Sequence, residues 1–281
     1  MRACVGGVMR RWGRQMVGRK SRNARLIDKH PCCCFCGGTV EATTVEHAPP
    51  KIFFIGKHRP SGLEFPACSR CNNGTADSDQ VAALFAIIMA TVHRPEIESQ
   101  NSGYIGKLVS GVVNNHPEII TALASDDGFE TIKVNGEIQN LPKVKVPDFL
   151  YEEFLNPWAA KQGFALWYEH KNASLGPEAK VYVHWETNFS LLDNDILEKF
   201  SEGLSGFGEL RQGKWETTDQ YWYKYGFAEK DGQELGAFLL VLQDASAVMI
   251  FVTNGPEQIS ESVSKMTTFQ TNSAQGIHEI K

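Results

Sequence analysis

The chain has 281 residues, 42% of them hydrophobic, and a formal net charge of −5. This length and composition are typical of a soluble globular protein with enough material for two domains. They exclude a membrane-spanning protein, because the most apolar run, residues 81–92, is shorter than the roughly 18 residues that a span requires.

The first 30 residues are strongly basic. They contain nine Lys or Arg residues and one acid, Asp28, so this segment carries +8 and leaves −13 for the rest of the chain. Basic arms of this kind bind phosphate backbones. The alternative is a disordered, solvated leader, or upstream sequence from a misassigned start codon. We predict that residues 1–30 form a basic, disordered tail.

Six of the seven cysteines lie close together, and four of them form two Cys-x-x-Cys pairs, Cys33/Cys36 and Cys68/Cys71. A spacing of two lets one tight turn direct both thiolates at one ion, with Zn–S bonds of roughly 2.3 Å. Gly37 follows the first pair and permits such a turn. Two pairs complete a tetrahedral site, so we predict a structural zinc ion and a reducing, cytoplasmic location rather than secretion.

The segment around the cysteines is predicted to be a metal-organised module. Residues 31 to about 78 are rich in Cys, Gly, Pro and Asn, which is typical of a fold in which a metal replaces a large core. Short strands are predicted at residues 39–45 and 63–66, and a helix opens near Asn72. A strongly apolar helix follows over residues 79–92.

A helical and hairpin segment is predicted next. Apolar spacing in residues 102–125 indicates two helices that Pro117 separates. Residues 131–139 alternate about an Asn-Gly pair, which predicts a β-hairpin.

The last part of the chain is predicted to be richer in strands. Pro147 opens a helix that runs to Asn172 and is bent or broken at Pro157. Strand composition occurs at residues 180–185, 214–216, 221–228, 237–243 and 247–253, with a helix at 193–203.

The expected fold class is α+β with a mainly antiparallel sheet. The predicted division is a tail (1–30), a zinc module (31–95), a helical and hairpin connection (96–145) and an α+β domain of unknown role (146–281).

An acid–histidine pair between the cysteine pairs indicates hydrolytic chemistry. Phosphodiester hydrolysis needs a deprotonated water and a divalent cation that neutralises charge on the phosphate. His47 is a suitable base, because the reference pKa of histidine, about 6.5, leaves it largely neutral at pH 7. Glu46 and Asn72 supply the hard oxygen ligands that Mg²⁺ prefers. Glu46 and His47 serve one site only if the strand ends there, as Pro49 indicates.

These residues resemble a known family. The order Cys-x-x-Cys, Glu46-His47 with a nearby proline, and Cys-x-x-Cys followed by Asn72 is similar to that of the zinc-containing His-Asn-His (HNH) endonucleases of the ββα-metal superfamily. The resemblance implies a treble-clef zinc finger over residues 31 to about 80, with His47 as general base. It also implies that Glu46 and Asn72 hold a catalytic Mg²⁺ or Mn²⁺ ion, although the family commonly has Asp where Glu46 stands.

The position of the family's last His or Asn is open, and Asn73, Asp77 and Asp79 lie in the corresponding region of the chain. Basic residues near the motif are candidate nucleic-acid contacts: Lys51, Lys57, His58, Arg59 and Arg70. An aromatic series runs from Trp215 to Phe227, and we expect it to fill a core rather than to stack on bases.

The sequence therefore predicts a metal-dependent DNA endonuclease, with bacterial defence against foreign DNA as the expected setting. Residues 146–281 are expected to recognise a target or a protein partner. The alternatives are a noncatalytic zinc-finger module that binds nucleic acid or protein, and an RNA-cleaving toxin.

Overall fold

The computed structural model describes residues 21–123, 129–134, 137–142, 146–187, 195–230, 232–255, 267–272 and 276–279. Within these ranges, none of the helices combines the length and the hydropathy that crossing a membrane requires.

The N-terminal part is a small hairpin flanked by helices. Its elements are α1 (Arg22–Lys29), β1 (Thr44–His47), two single 3-10 turns (Lys51–Phe53 and Ile55–Lys57), β2 (Glu64–Ala67), α2 (Ser69–Asn73) and α3 (Ala76–His93). Strands β1 and β2 are antiparallel, with Glu46 opposite Phe65. The predicted short strands are therefore present, shifted by a few residues.

The first cysteine pair lies on a turn beside this hairpin, and the second pair spans the start of helix α2. Gly37 has φ of 65°, a left-handed conformation that glycine adopts without a Cβ clash, so the first pair is followed by the predicted tight turn. The backbone N–H of Cys34 donates to the Pro66 carbonyl at 3.0 Å, which binds this turn to β2. Helix α2 begins at Ser69, directly after Cys68.

The prediction of a disordered tail does not hold for its last residues, because Arg22–Lys29 form helix α1. The Ser21 hydroxyl accepts a hydrogen bond from the Ala24 backbone N–H at 3.2 Å and so caps the helix. Arg22 pairs with Glu64 on β2 at 3.0 Å. A cap and a tertiary ion pair thus order a basic segment that composition alone assigns to the tail. Residues 1–20 lie outside the described residues.

The helical and hairpin segment agrees with its prediction. Helices α4 (Glu96–Asn115) and α5 (Pro117–Leu123) are separated at Pro117. Strands β3 (Phe129–Val134) and β4 (Glu137–Pro142) pair with Val134 opposite Glu137, while the two turn residues lie outside the described residues.

The helix predicted from Pro147 onward begins with an irregular turn. Helix α6 (Asp148–Leu150) leads into a π-helical turn (Tyr151–Leu155) and then α7 (Asn156–Lys171). The Asn156 N–H bonds to the Tyr151 carbonyl, one residue farther back than in an α-helix. This widened turn precedes Pro157, which has no N–H to donate, so the chain passes the proline without ending the helix.

The C-terminal part is an antiparallel sheet covered by α7. Its elements are β5 (Lys180–Thr187), α8 (Asp195–Glu202), β6 (Gly206–Phe207), β7 (Tyr221–Lys230), β8 (Gln233–Leu242), β9 (Ser246–Thr253), β10 (Thr267–Asn272) and β11 (Gly276–Glu279). Across the described residues the strand order is β11-β10-β5-β9-β8-β7-β6, and every pair is antiparallel.

One predicted strand is wrong. Residues 214 and 215 form a bend between β6 and β7, and residue 216 lies in the loop that follows. The Gln212 side-chain oxygen accepts hydrogen bonds from the Thr217 N–H at 3.1 Å and from its hydroxyl at 2.8 Å. This side chain closes a loop around the segment and takes a backbone donor that a strand would use.

The two parts of the chain share one hydrophobic core. A single buried cluster extends from Cys33 and Phe65 through Trp158 to Phe238. The Phe53 ring stacks on Trp158, with centroids 4.7 Å apart. Helix α7 lies at the centre of this core, and its Lys161 is only 1% exposed. The cysteine-bearing hairpin is thus packed directly on the C-terminal part.

Candidate metal centre and cationic cavity

The four predicted cysteines, Cys33, Cys36, Cys68 and Cys71, form one buried cluster. Their sulfur atoms all lie within 4.8 Å of one another. The Cys36 sulfur is 3.5 Å from that of Cys68 and 3.2 Å from that of Cys71. Bonds of about 2.3 Å in a tetrahedron place sulfur atoms roughly 3.8 Å apart, so the cluster has the dimensions of a four-thiolate zinc site. The cluster can hold a metal ion.

The proton chemistry of the cluster also favours a cation. Hydrogen bonds from Cys36 and Cys71 lower the pKa of Cys33, and the same contacts raise the pKa values of those two partners. One thiolate therefore forms readily, but its charge opposes the ionisation of its neighbours. A central dication removes this repulsion, and it binds thiolates rather than thiols.

Arg70 lies beside this cluster, and its predicted contact with nucleic acid stays a prediction. Its guanidinium is 4.0 Å from the Cys36 sulfur, and this contact raises the pKa of Arg70. A positive charge at this distance would offset part of the negative charge of four metal-bound thiolates.

His47 lies on the wall of a cavity of about 660 Å³. The walls are formed by Arg22, Asn23, His47, Lys51, Lys57, His58, Arg59, Pro60, Ser61, Glu64, Gly213, Lys214 and Trp215. Five of these side chains are Lys or Arg and one is acidic, so the cavity is electropositive. Four of the five predicted nucleic-acid contacts therefore converge here, and Arg70 is the one that does not.

The environment of His47 favours the neutral imidazole. Burial is the largest cause that lowers the pKa of His47, and the positive charge of Arg59 lowers it further, against an opposing effect of Glu64. The Nδ1 atom is enclosed and has no hydrogen-bond partner among the described residues. A neutral imidazole in this position can accept a proton.

Arg59 has a structural role in the cavity wall. Its guanidinium donates to four backbone carbonyls, those of Pro49 (2.8 Å), Pro60 (3.1 Å), Gly62 (2.6 Å) and Leu63 (2.6 Å). These bonds tie the segment after His47 to the segment before β2. Arg59 thus contributes charge to the cavity, while most of its donors are already used.

The Glu46 side chain lies on the opposite face of β1 from the His47 imidazole, although its Oε1 atom accepts a hydrogen bond from the His47 backbone N–H at 2.9 Å. Its carboxylate is buried, and one oxygen lies 3.1 Å from the Lys161 ammonium. The same ammonium is 3.5 Å from Asp79 Oδ2 and bonds to the Thr75 hydroxyl. Adjacent residues on a strand point to opposite faces, so β1 directs Glu46 toward helix α7 and His47 into the cavity.

The predicted residues of the catalytic ion do not converge on the cavity. Asn72 donates its side-chain amide to the Thr44 hydroxyl at 2.9 Å. Neither Glu46 nor Asn72 is among the cavity-lining residues. Because Lys161 already supplies the cation next to Glu46, these side chains do not fit a divalent ion beside His47. A catalytic Mg²⁺ or Mn²⁺ ion stays a prediction.

Of the three candidates for the last HNH residue, Asp79 shares Lys161 with Glu46. Asp77 instead lies 3.6 Å from His116. The sequence contains one signal for Lys161 that was not used, since this lysine is a lone charge in the otherwise largely apolar stretch from Trp158 to Trp167. A charge inside an apolar helix indicates a buried partner.

The fold and the site thus define a protein of mixed helix and antiparallel sheet, in which a four-cysteine cluster that can hold a metal ion lies beside a hairpin and a cationic cavity. Comparisons with models of protein families, with curated proteins and with solved structures found no match.

Proposed function

We propose that the protein hydrolyses phosphodiester bonds of DNA, with His47 as the general base and a four-cysteine zinc ion that supports the module. The observation that carries this proposal is the position of His47 on the wall of a cavity formed by five Lys or Arg side chains, Arg22, Lys51, Lys57, Arg59 and Lys214. Such a cavity attracts polyanions and holds a phosphate next to a proton acceptor.

In the proposed reaction the cavity residues have two roles, which are activation of the attacking water and stabilisation of charge on the phosphate. The imidazole of His47 takes a proton from water, and the resulting hydroxide attacks phosphorus opposite the leaving oxygen. The bond from phosphorus to that oxygen breaks, and the released alkoxide takes a proton from solvent. Negative charge grows on the phosphate oxygens during this step. Lys51, Lys57 and Lys214 supply positive charge at the cavity wall, where it stabilises that growth.

Zinc is proposed as a structural component only. When bound by Cys33, Cys36, Cys68 and Cys71 it has four protein ligands and leaves no position for substrate. A zinc ion bound there would join the turn that carries Cys33 and Cys36 to the start of helix α2, on either side of the β1–β2 hairpin, and β1 carries His47.

A plasmid-nicking assay tests the proposal. The purified protein is expected to convert supercoiled DNA to the open-circular form, and His47→Ala is expected to lower the rate by at least about 100-fold, the smallest usual contribution of a general base. His184→Ala is the matched control, because His184 is an exposed histidine on β5 that lies outside the cavity. Equal rates for His47→Ala and the parent protein would show the assignment to be wrong.

The same assay tests whether Glu46 and Asn72 hold a catalytic divalent ion. If Glu46 and Asn72 hold Mg²⁺ or Mn²⁺, cleavage needs added divalent ion and is lost in Asn72→Ala. If Glu46 remains with Lys161, Asn72→Ala retains cleavage. An RNA substrate in parallel tests the RNA-cleaving alternative.

The second candidate function is a noncatalytic module that binds nucleic acid. The Glu46–Lys161 ion pair favours it, because that carboxylate is not open to a catalytic ion. Salt-sensitive DNA binding without nicking, unchanged in Asn72→Ala, would support this function. A protein partner for the C-terminal part and the defence setting stay predictions.

A further inference from the structure

We infer that Trp215 forms a nucleobase-binding site at the cavity, so that the ligand is a nucleic-acid strand with an unpaired base next to His47. This inference rests on the proposed function and narrows its substrate class.

Trp215 differs from the aromatic residues that follow it. Its side chain is 53% exposed and lines the same cavity as His47, whereas Tyr221 and Tyr223 are buried at 1% and 2% exposure. The prediction that the aromatic series fills the core is thus wrong for Trp215. An exposed indole on the wall of an electropositive cavity presents an apolar surface where a phosphate strand would lie.

The indole already belongs to an aromatic pair. Its ring centroid is 5.4 Å from that of His58, with the two planes tilted by 34°. His58 lies in the segment that also contains Lys57, so the aromatic pair and the cationic wall meet at this point of the cavity. A base that stacks here has its own phosphate within the electropositive region.

The loop that carries Trp215 is fixed at both ends. The Ser61 N–H donates to the Arg211 carbonyl at 2.8 Å, which binds the loop to the segment before β2. Gln212 bonds to both the backbone and the hydroxyl of Thr217, and Thr217 is 1% exposed. The indole is therefore positioned before a ligand arrives, which lowers the entropic cost of binding.

Lys214 also contacts the Trp215 indole, in addition to His58. Its ammonium lies 5.3 Å from the Trp215 ring centroid. An exposed cation–π contact is weaker than the stacking of a base on an indole, so a base can displace this ammonium. The flexible lysine is then free to pair with the phosphate of the incoming strand.

The chemistry of the site selects unpaired bases. In a duplex both faces of a base are covered by its neighbours, whereas a single strand or an extruded nucleotide offers a free face. Stacking on an indole has little sequence preference, since every base has a π face. The cavity walls supply charge for the backbone, and Trp215 supplies the contact that depends on a base.

The test compares two fluorescein-labelled 12-nucleotide DNA strands of equal charge, one of thymidines and one of abasic residues, by anisotropy in EDTA. The parent protein is expected to bind the thymidine strand about tenfold more tightly than the abasic strand. Trp215→Ala is expected to remove that difference without weakening the abasic complex, and Trp215→Phe is expected to restore most of it.

Two control variants fix the interpretation. Phe207→Ala removes another exposed aromatic residue, 55% exposed and outside the cavity, and is expected to change neither affinity. Lys57→Ala is expected to weaken both complexes equally, because both strands carry the same phosphates. The same pair of strands made with ribose distinguishes RNA from DNA.

Equal affinities of the parent protein for the thymidine and abasic strands, with both sugars, would overturn the inference, and so would an equal loss of both affinities in Trp215→Ala. Neither result bears on nicking, which is judged by comparing the nicking rate of the parent protein with that of His47→Ala. Conversely, base-dependent binding without cleavage of either the plasmid or the thymidine strand would leave the inference intact and refute the proposed hydrolysis.

Discussion

The ammonium of Lys161 lies 3.1 Å from the carboxylate of Glu46, and the two side chains are only 1% and 5% exposed. One residue belongs to the central helix α7 and the other to strand β1, so this ion pair joins the C-terminal part to the strand that carries His47. Asp79, on α3, is the second carboxylate at the same ammonium.

Lys161→Met is expected to destabilise the protein by about 3–5 kcal/mol at pH 7, because two buried carboxylates lose their cation. The measurement is the free energy of unfolding in urea. Lys171→Ala is the matched control. Lys171 pairs with Glu234 at 2.7 Å, but the two side chains are 27% and 40% exposed, so the loss should be under about 1 kcal/mol.

Removing charge from both sides should restore stability. In the double variant Glu46→Gln/Lys161→Met, the remaining Asp79 can take up a proton, so most of the lost stability is expected to return. A double variant no more stable than Lys161→Met would contradict the assigned ion pair.

Asp79 is expected to make stability depend on pH. Burial raises the pKa of Asp79 from 3.8 to about 7, against the attraction of Lys161. Its contribution is fully present below pH 3.8. As the pH rises toward 7, the unfolded chain loses this proton while the folded chain keeps it, so stability falls; above pH 7 the effect levels off.

Asp79→Asn isolates that contribution, since an amide does not titrate. The free energy of unfolding of Asp79→Asn relative to the parent protein should rise between pH 5 and pH 7.5. Taking the difference between the two proteins cancels zinc loss, which both share at low pH. A difference that stays constant over this range would refute the raised pKa.

One zinc ion per chain is expected, and Cys71→Ser should lose it together with much of the native secondary structure. Metal analysis and circular dichroism measure the two effects. Cys32→Ser is the control, because Cys32 lies next to the cluster in sequence but is not one of its four members. Full zinc content in Cys71→Ser would rule out the four-sulfur site.

Arg59→Lys is expected to cost roughly 2 kcal/mol of stability, since one ammonium cannot replace a guanidinium that bonds to four carbonyls. Urea unfolding measures it. Unchanged stability would show that these hydrogen bonds contribute little.

Lys57→Ala should separate charge from structure in the same cavity. Its stability is expected to stay within about 0.5 kcal/mol of the parent protein. The slope of log affinity for DNA against log salt should fall by about 1, because one phosphate contact is removed. An unchanged slope would place Lys57 outside the binding site.

Local patterns predicted much of the fold. The cysteine spacing identified the four cysteines that lie together, and Pro117 marked the boundary between α4 and α5. Both signals act over a few residues, where turn geometry and the missing proline N–H decide the structure. A local signal also placed His47 at the end of strand β1, because prolines follow it in the sequence.

Long-range contacts could not be predicted in this way. The partner of Glu46 is Lys161, which only the packing of α7 against β1 brings near. Trp215 lies in a segment of strand-like composition, but the Gln212 side chain closes it into a loop. In both cases the structure depends on a contact that local periodicity does not report. For Glu46 it is an ion pair with a residue distant in sequence, and for the Trp215 loop it is a hydrogen bond from the backbone to a side chain.

The packing of Phe53 on Trp158 bears on how such a protein can change by recombination. The 3-10 turn Lys51–Phe53 also receives a hydrogen bond from Gln243, whose side-chain nitrogen lies 3.0 Å from the Phe53 carbonyl. A gene fragment that encodes only the β1–β2 hairpin and its cysteines would therefore lack Trp158 and Gln243, which hold the turn that contains Lys51. We expect the two halves of this protein to be inherited together, and grafts of the hairpin alone onto other chains to lose the cavity.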